Sequence, residues 1–462
     1  MLFNTDDRAL FRRVWQLAWP TAIYGALELT VGLVDLLMVR PLGPSATAAI
    51  GIGRQVTFLV EVSAMTISIG VITLVSQAIG AGATARVEAI VRQSYRLVLL
   101  FGLPATLLGV AMSRPLLVAM QAEQSTIDAG APYLQIYFLG LIFLWANLIG
   151  TAIFRGAGNM HTPLKIALAV NVLNITLNYL FIYGIGSLPA FGVQGAAIGT
   201  VVARTCSAAM YLWLLHHGID HVRLRWRVTT GDETDKTTQP IAKFDWALTG
   251  RMLRIGGPIA VSGVVRNGSR LFFLGVVGLS SAGVALHAAV GIGLQVRLLS
   301  IVPAVAFQIA IATLIGRAIG RGDLAEAETI GRRMVLLLSV PMLAVTGFVL
   351  VFAQPLAQLF VASTETARLG AVVLRWFAVA QFFSALSIIT QGALVGAGDT
   401  APTMRYTILC QWIVMLPLAY GLLVPLEFDP VGPLVAWTVA PILALTLMQR
   451  RFHSGRWKTI RA

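Results

Sequence analysis

Two acidic residues, Glu28 and Asp35, lie seven positions apart, and three amides, Asn171, Asn174 and Asn178, follow at spacings of three and four. On an α-helix seven residues make two turns, so the two acids share a face with a rise of about 10 Å between them. The amides likewise line one side of their own helix. Carboxylate and amide oxygens are hard ligands of the kind Na⁺ accepts, by the reasoning that governs other oxygen-loving cations. A third acid, Glu61, belongs to the same half of the chain. The second half carries the opposite charge: Arg266 and Arg270 stand one turn apart, with Arg297 and Arg375 further on. Guanidinium groups seek carboxylate or phosphate, which would suit an acidic or zwitterionic solute. Backbone carbonyls, the first-half acids and lipid headgroups are the competing partners.

The elements that position these groups are long and apolar. With 57% apolar and 12% charged residues over 462 positions, the chain has more apolar surface than a soluble domain of this size can bury. A membrane span needs about 20 mostly apolar residues. Stretches near 15–38, 54–79, 93–112, 133–154, 164–184 and 194–215 meet that length. So do those near 253–278, 284–316, 331–353, 372–395, 403–424 and 432–449, which predicts an all-α membrane protein of twelve transmembrane helices. The first run contains Glu28 and Asp35 and has no small-residue cleavage site behind it, so it is expected to remain as a helix. An ionisable side chain inside a bilayer costs about 2.5–3.5 kcal/mol on insertion scales, so each of the acids and arginines above should face a watery cavity or a partner. For Glu61 an ion pair with Arg54 is the structural alternative.

The formal charge of +14 is spread along the chain in a way that argues against nucleic-acid binding. Basic residues crowd alternate loops: Arg8, Arg12 and Arg13, then Arg86, Arg92 and Arg96, then Arg155 and Lys165, and later Arg317, Arg321, Arg332 and Arg333. The intervening loops hold only Arg40, Arg54, Arg114 and Arg368, so the positive-inside rule places both termini in the cytoplasm. Segments repeat in order with an offset of about 240 residues. Ser76-Gln-Ala-Ile-Gly80 matches Gly316-Arg-Ala-Ile-Gly320, and Gly156-Ala-Gly158-Asn159 matches Gly396-Ala-Gly398-Asp399. Six spans per copy make this a parallel repeat of two six-helix bundles, with lobes at 1–215 and 251–462 and a polar cytoplasmic linker at 216–250. Cys206 and Cys410 sit inside apolar helices, where a small apolar filler is the better account. The glycine-rich Gly80-Ala-Gly82 and Gly156-Ala-Gly158 lack the strand and the lysine of a phosphate loop. There is no cluster of metal ligands, no nucleophile with a histidine partner and no selectivity-filter motif, so neither an enzyme nor a channel is expected.

The ordered set of motifs resembles the multidrug and toxic compound extrusion (MATE) family, including its NorM-like and DinF-like bacterial members. The likeness rests on Trp19-Pro20 and Gly32-Leu-Val-Asp35 ahead of Leu42-Gly43, on Leu74-Val-Ser-Gln-Ala-Ile-Gly-Ala-Gly82 and Leu314-Ile-Gly-Arg-Ala-Ile-Gly-Arg-Gly322, and on Asn174-Ile-Thr-Leu-Asn178 leading into Gly195-Ala-Ala-Ile-Gly-Thr200. It spans roughly residues 10–450. The resemblance implies a V-shaped pair of bundles that exports organic, often cationic, compounds on inward Na⁺ or H⁺ flow. It adds Thr200 to the cation ligands. Asn178 stands where some DinF-like members have Asp, Arg266 where NorM-like members carry Glu, and Ser384 where they carry Asp, so the resemblance does not extend to a cation site in the second lobe.

A mechanism follows from competition for one negative charge. Burial favours the protonated form of a carboxylic acid and a nearby cation favours the ionised form, so Asp35 can hold a proton or Na⁺ in one state and release it in another. If ion and cargo favour different states, their coupling is the difference in affinity between those states. Asp35, Asn174 and Asn178 are therefore expected to bind the cation, Na⁺ among the candidates, with no covalently bound cofactor. Glu28, Glu61, Tyr137, Asn171, Arg266 and Arg270 are candidates to line the substrate cleft; Tyr137, Trp145 and Tyr179 could equally be packing aromatics. The expected partners are a small-molecule substrate and the lipid bilayer of the plasma (inner) membrane, and a monomer suffices because the duplicate is already fused. A flippase for lipids or lipid-linked sugars, using the second-half arginines on a phosphate, is the alternative.

Overall fold

The computed structural model describes residues 5–187, 189–219, 222–224, 244–361 and 363–460. Among them the regular structure is helical, apart from one isolated bridge between Ile219 and Val222. The first half runs α1 (Thr5–Val39), α2 (Pro44–Gly80), α3 (Thr84–Leu97), α4 (Leu103–Ala119), α5 (Gln124–Leu139), α6 (Leu141–Gly156), α7 (His161–Tyr183) and α8 (Gly192–His217). The second runs α9 (Trp246–Val277), α10 (Gly283–Gly320), α11 (Leu324–Val351), α12 (Ala353–Gln358), α13 (Thr364–Gly396), α14 (Ala401–Ile408), α15 (Leu416–Leu423) and α16 (Val431–His453). Five-residue and seven-residue π-helical stretches, Val98–Gly102 and Leu409–Met415, join α3 to α4 and α14 to α15 into continuous rods. The expected polar linker falls largely outside the described residues.

Among the described residues ten helical rods are long and apolar enough to cross a membrane, and α5 with α6, bent by 48°, makes an eleventh if the pair is one span. The twelfth is α9, long enough at 32 residues but carrying Arg251, Arg254, Arg266 and Arg270. Leucines such as Leu107 and Leu108, 63% and 64% exposed, lie outward on α4. Such side chains suit a lipid surface, where every backbone polar group must be satisfied within the helix. The sequence led us to expect one span near 133–154; instead it is broken at Gly140, whose amide closes α5 onto the Ile136 and Tyr137 carbonyls. A side chain at 140 would collide with Val201 of α8, so the break falls where two helices approach most closely.

The internal repeat is visible in local geometry. The turn after α2 places Gly82 at φ 68° and the turn after α10 places Gly322 at φ 79°; Gly158 and Gly398 adopt φ 71° and 79° after α6 and α13. These left-handed positions favour glycine. Gly156 packs against the Ile72 backbone, and Gly396 packs against that of Ala312, both partners again displaced by about 240 residues.

The chain divides into two compact units: Ile23–Gly256, here the N-unit, and Met1–Ala22 with Gly257–Ala462, here the C-unit. Both boundaries fall inside a helix, beside Pro20 in α1 and Pro258 in α9. In the C-unit, Leu10, Val14 and Ala18 join a core formed by Phe307, Ala310 and Ile311 of α10 and Met334 of α11. In the N-unit, the start of α9 is seated on α2: side chains at Gly70 or Gly256 would strike the backbone of Met252 and Thr66, respectively. Gln93 secures the same segment by donating to Asp245 O at 3.1 Å and to Thr249 Oγ1 at 2.8 Å.

Candidate functional site

In the N-unit α7 and α8 pack tightly because α8 carries glycine at 195 and 199, one turn apart. A side chain at 195 would strike the Phe181 backbone, and one at 199 would collide with the Asn178 amide oxygen. That close approach buries Asn174 and Asn178, which are 4% and 0% exposed. Asn178 Nδ2 donates to Asp35 Oδ1 at 2.7 Å and lies 3.4 Å from Asn174 Oδ1. Asn174 Nδ2 donates to Thr200 Oγ1 at 3.3 Å. The four residues expected from sequence to hold a cation thus form one hydrogen-bonded chain across α1, α7 and α8.

The chemistry of that chain is asymmetric. An ionised carboxylate only accepts, so Asn178 must turn its NH₂ toward Asp35, which directs its carbonyl oxygen away. Asn178 Oδ1 is buried and has no hydrogen-bond partner, and neither has Asn171 Nδ2 two turns away on α7. A buried amide oxygen left without a donor costs about 1–3 kcal/mol. A cation beside it would remove that cost, so the donor set fits Na⁺ or a protonated group. Among the described residues no cluster of three or more His, Cys, Asp or Glu forms a transition-metal site.

Glu61 and Tyr137, named as cleft candidates, meet in a second network. Tyr137 OH donates to Glu61 Oε1 at 3.1 Å and accepts from Arg204 Nη1 at 2.5 Å. The Arg204 guanidinium also lies 5.1 Å from the centre of the Tyr137 ring. Glu61 and the exposed Glu28 both act electrostatically on Arg204. Arg204 is a member of this network that sequence reasoning passed over, although a lone guanidinium in the middle of an apolar span invites the same question as a lone acid. The Arg54 side chain lies outside the described residues. Of the remaining aromatic candidates, Trp145 is buried and Tyr179 is 53% exposed, packed edge-on against Tyr183.

Arg266 and Arg270 belong to the C-unit. Both are exposed, as is Arg375, while Arg297 is half-buried. His287 is exposed; Cys206 and Cys410 are free thiols.

The comparisons with known proteins agree with this architecture. The MatE family model matches residues 20–180 and 258–421, one copy in each half. The chain is 27% identical to the probable multidrug resistance protein NorM of Thermotoga maritima over 444 residues, covering 96% of this chain and 92% of that one. It is 28% identical to the probable NorM of Rhodopseudomonas palustris over 456 residues, covering 96% and 91%. In fold it is similar to a MATE protein crystallised in a bent conformation, with TM-score 0.84 and 21% identity over 98% of each chain. It is also similar to one in a straight conformation, with TM-score 0.83 and 22% identity over 96% of each. With both repeats matched by the family model and the whole length shared with these relatives, the chain belongs to the MatE family of multi-pass membrane transporters and is not an enzyme.

Proposed function

We propose that the protein is a cation-coupled exporter in which inward flow of Na⁺ or H⁺ drives efflux of small amphipathic organic compounds by alternating access. Asp35 is the ion switch, and Asn174, Asn178 and Thr200 are its supporting ligands. The observation that carries this reading is the buried, unpartnered Asn178 Oδ1 on the amide that donates to the Asp35 carboxylate. When Asp35 is ionised, Asn178 donates to it and presents an oxygen to the cation; when Asp35 is protonated, its O–H can donate to a reoriented amide. Either guest changes the same hydrogen bond. The relatives named as multidrug resistance proteins support the cargo class. The protein resides in the plasma (inner) membrane with both termini in the cytoplasm, and it works as a monomer.

The driving force is adequate. One inward charge across 100 mV supplies about 2.3 kcal/mol, which sustains roughly a 50-fold gradient of a neutral solute. The test is efflux of ethidium from proteoliposomes with a Na⁺ or a proton gradient imposed separately, for native protein and Asp35→Asn. Native protein should respond to one gradient, and Asp35→Asn should lose at least tenfold of that response. Equal transport by the two proteins removes Asp35 from the mechanism.

A further inference from the structure

We propose that the C-unit contains an oxyanion-recognition site in which Arg266, Arg270 and Arg297, with the Gln381 amide, bind the carboxylate or phosphate of a soluble organic solute. The proposal rests on the transport reading, and it adds acidic and zwitterionic molecules to the cargo.

The arginines are gathered without a counter-charge. Arg266 and Arg270 are one turn apart on α9, and Arg297 of α10 lies over the Trp437 ring, whose centre is 4.6 Å from that of Phe273 on α9, one turn beyond Arg270. Like charges at that spacing repel, and in a membrane helix they need a partner. Among the described residues no carboxylate bonds to any of the three. Five of the C-unit's acids are engaged elsewhere: Asp7 with Arg333, Glu326 with Arg13 and Arg321, Glu328 with Arg332 and Lys458, Asp399 with Arg451, and Asp429 with Ser280 and Ser281. An anion from outside the protein is what the cluster lacks.

The surroundings are built rather than incidental. α9 is held in rotation by the π-helical turn Leu409–Met415: Ser269 Oγ lies 3.1 Å from Gln411 Oε1, and Trp412 Nε1 donates to Val265 O at 3.0 Å. Both contacts lie on the turn that bears the two arginines. The Arg297 guanidinium is 5.5 Å from the centre of the Trp437 ring, itself stacked on Phe377 at 5.0 Å. Arg297 also lines a cavity of about 20 Å³ together with Ser300, Thr346 and Gln381. Gln381 is only 7% exposed, and neither its Nε2 nor its Oε1 has a hydrogen-bond partner. A buried amide with both ends unused, beside a guanidinium, is the second sign that a polar ligand belongs there. Guanidinium is suited to such a ligand because its planar fork matches an oxyanion with two parallel hydrogen bonds.

The test is equilibrium binding of the anionic dye fluorescein to the full-length detergent-purified protein, read by anisotropy, with ethidium as the cationic control. Native protein should bind fluorescein. Arg266→Gln, Arg270→Gln and Arg297→Gln should each weaken it at least tenfold, and Gln381→Leu about threefold, with ethidium affinity unchanged. Arg266→Lys keeps the charge without the fork and should fall between native and Arg266→Gln; its melting temperature separates loss of site from loss of fold. No binding by native protein, or equal binding by all variants, overturns the proposal. Binding in detergent that is abolished in phosphatidylcholine and phosphatidylglycerol nanodiscs alike assigns the arginines to a lipid phosphate and also overturns it. Asp35→Asn separates this proposal from the coupling mechanism: arginine-dependent fluorescein binding that survives in Asp35→Asn upholds the anion site whatever happens to ion-driven efflux. Gradient-driven efflux with no arginine-dependent binding upholds the coupling alone.

Discussion

At the scale of residues, the proposed cation site depends on a hydrogen atom at position 199. The Asn178 carbonyl oxygen occupies the space where a β-carbon of residue 199 would stand. Gly199→Ala should therefore cost about 1–3 kcal/mol of stability by overpacking and reduce ion-driven efflux toward the Asp35→Asn level. Gly51→Ala, where a β-carbon would meet nothing within 4 Å, should leave melting temperature and efflux unchanged. Asp35, Asn174 and Asn178 were legible in the sequence because polar groups at helical spacing in apolar runs are costly and their periodicity shows which face they share. Gly199 and Arg204 were not read. A glycine shows its purpose only when the neighbouring helix is known, and Arg204 becomes part of a site only once α5 brings Tyr137 and α2 brings Glu61 to it.

At the scale of elements, the spans themselves were legible from length and hydropathy, while their interruptions were not. The bend between α5 and α6 arises from crowding against Val201, about 60 residues away in sequence, which no local pattern encodes. The π-helical stretch Leu409–Met415, which sets the rotation of α9, likewise depends on packing. Outside the membrane, Asp429 ties the segment before α16 to the turn before α10, accepting from Ser280 Oγ at 2.5 Å and from the Ser281 amide and hydroxyl at 2.6 Å each. Partial burial pushes the Asp429 carboxyl up, but these hydrogen bonds outweigh it and hold the group below the usual carboxylate range. A depressed folded value means the contribution is full above the unfolded value, about 3.9, and is lost as pH falls through the folded one. Asp429→Asn should lower the melting temperature by about 2–4 °C at neutral pH. That difference from native protein should shrink as the pH is brought below about 4. A difference that does not change with pH would mean the carboxylate's charge is not what secures the turn.

At the scale of the whole molecule, the duplication was legible because motifs recur in the same order, and the paired turns at Gly82 and Gly322 and at Gly158 and Gly398 show that it extends to the backbone. What sequence could not reveal is that the units exchange helix ends: residues up to Ala22 pack in the C-unit, and α9 up to Gly256 packs in the N-unit. The two halves of the chain should therefore need each other. A polypeptide ending at residue 230 and another beginning at residue 240, coexpressed, should copurify in equal amounts. Each alone should be degraded or recovered at several-fold lower yield. Independent accumulation of either fragment would show that the exchanged ends contribute little.

The same exchange sets a timetable for biogenesis. Leu10, Val14 and Ala18 leave the ribosome roughly 300 residues ahead of the side chains that enclose them, Phe307, Ala310 and Met334. At about 5–20 residues per second, the leading end of the first helix waits on the order of 15 to 60 seconds for its partners. During that interval its apolar stripe must be sheltered by lipid or by the insertion machinery.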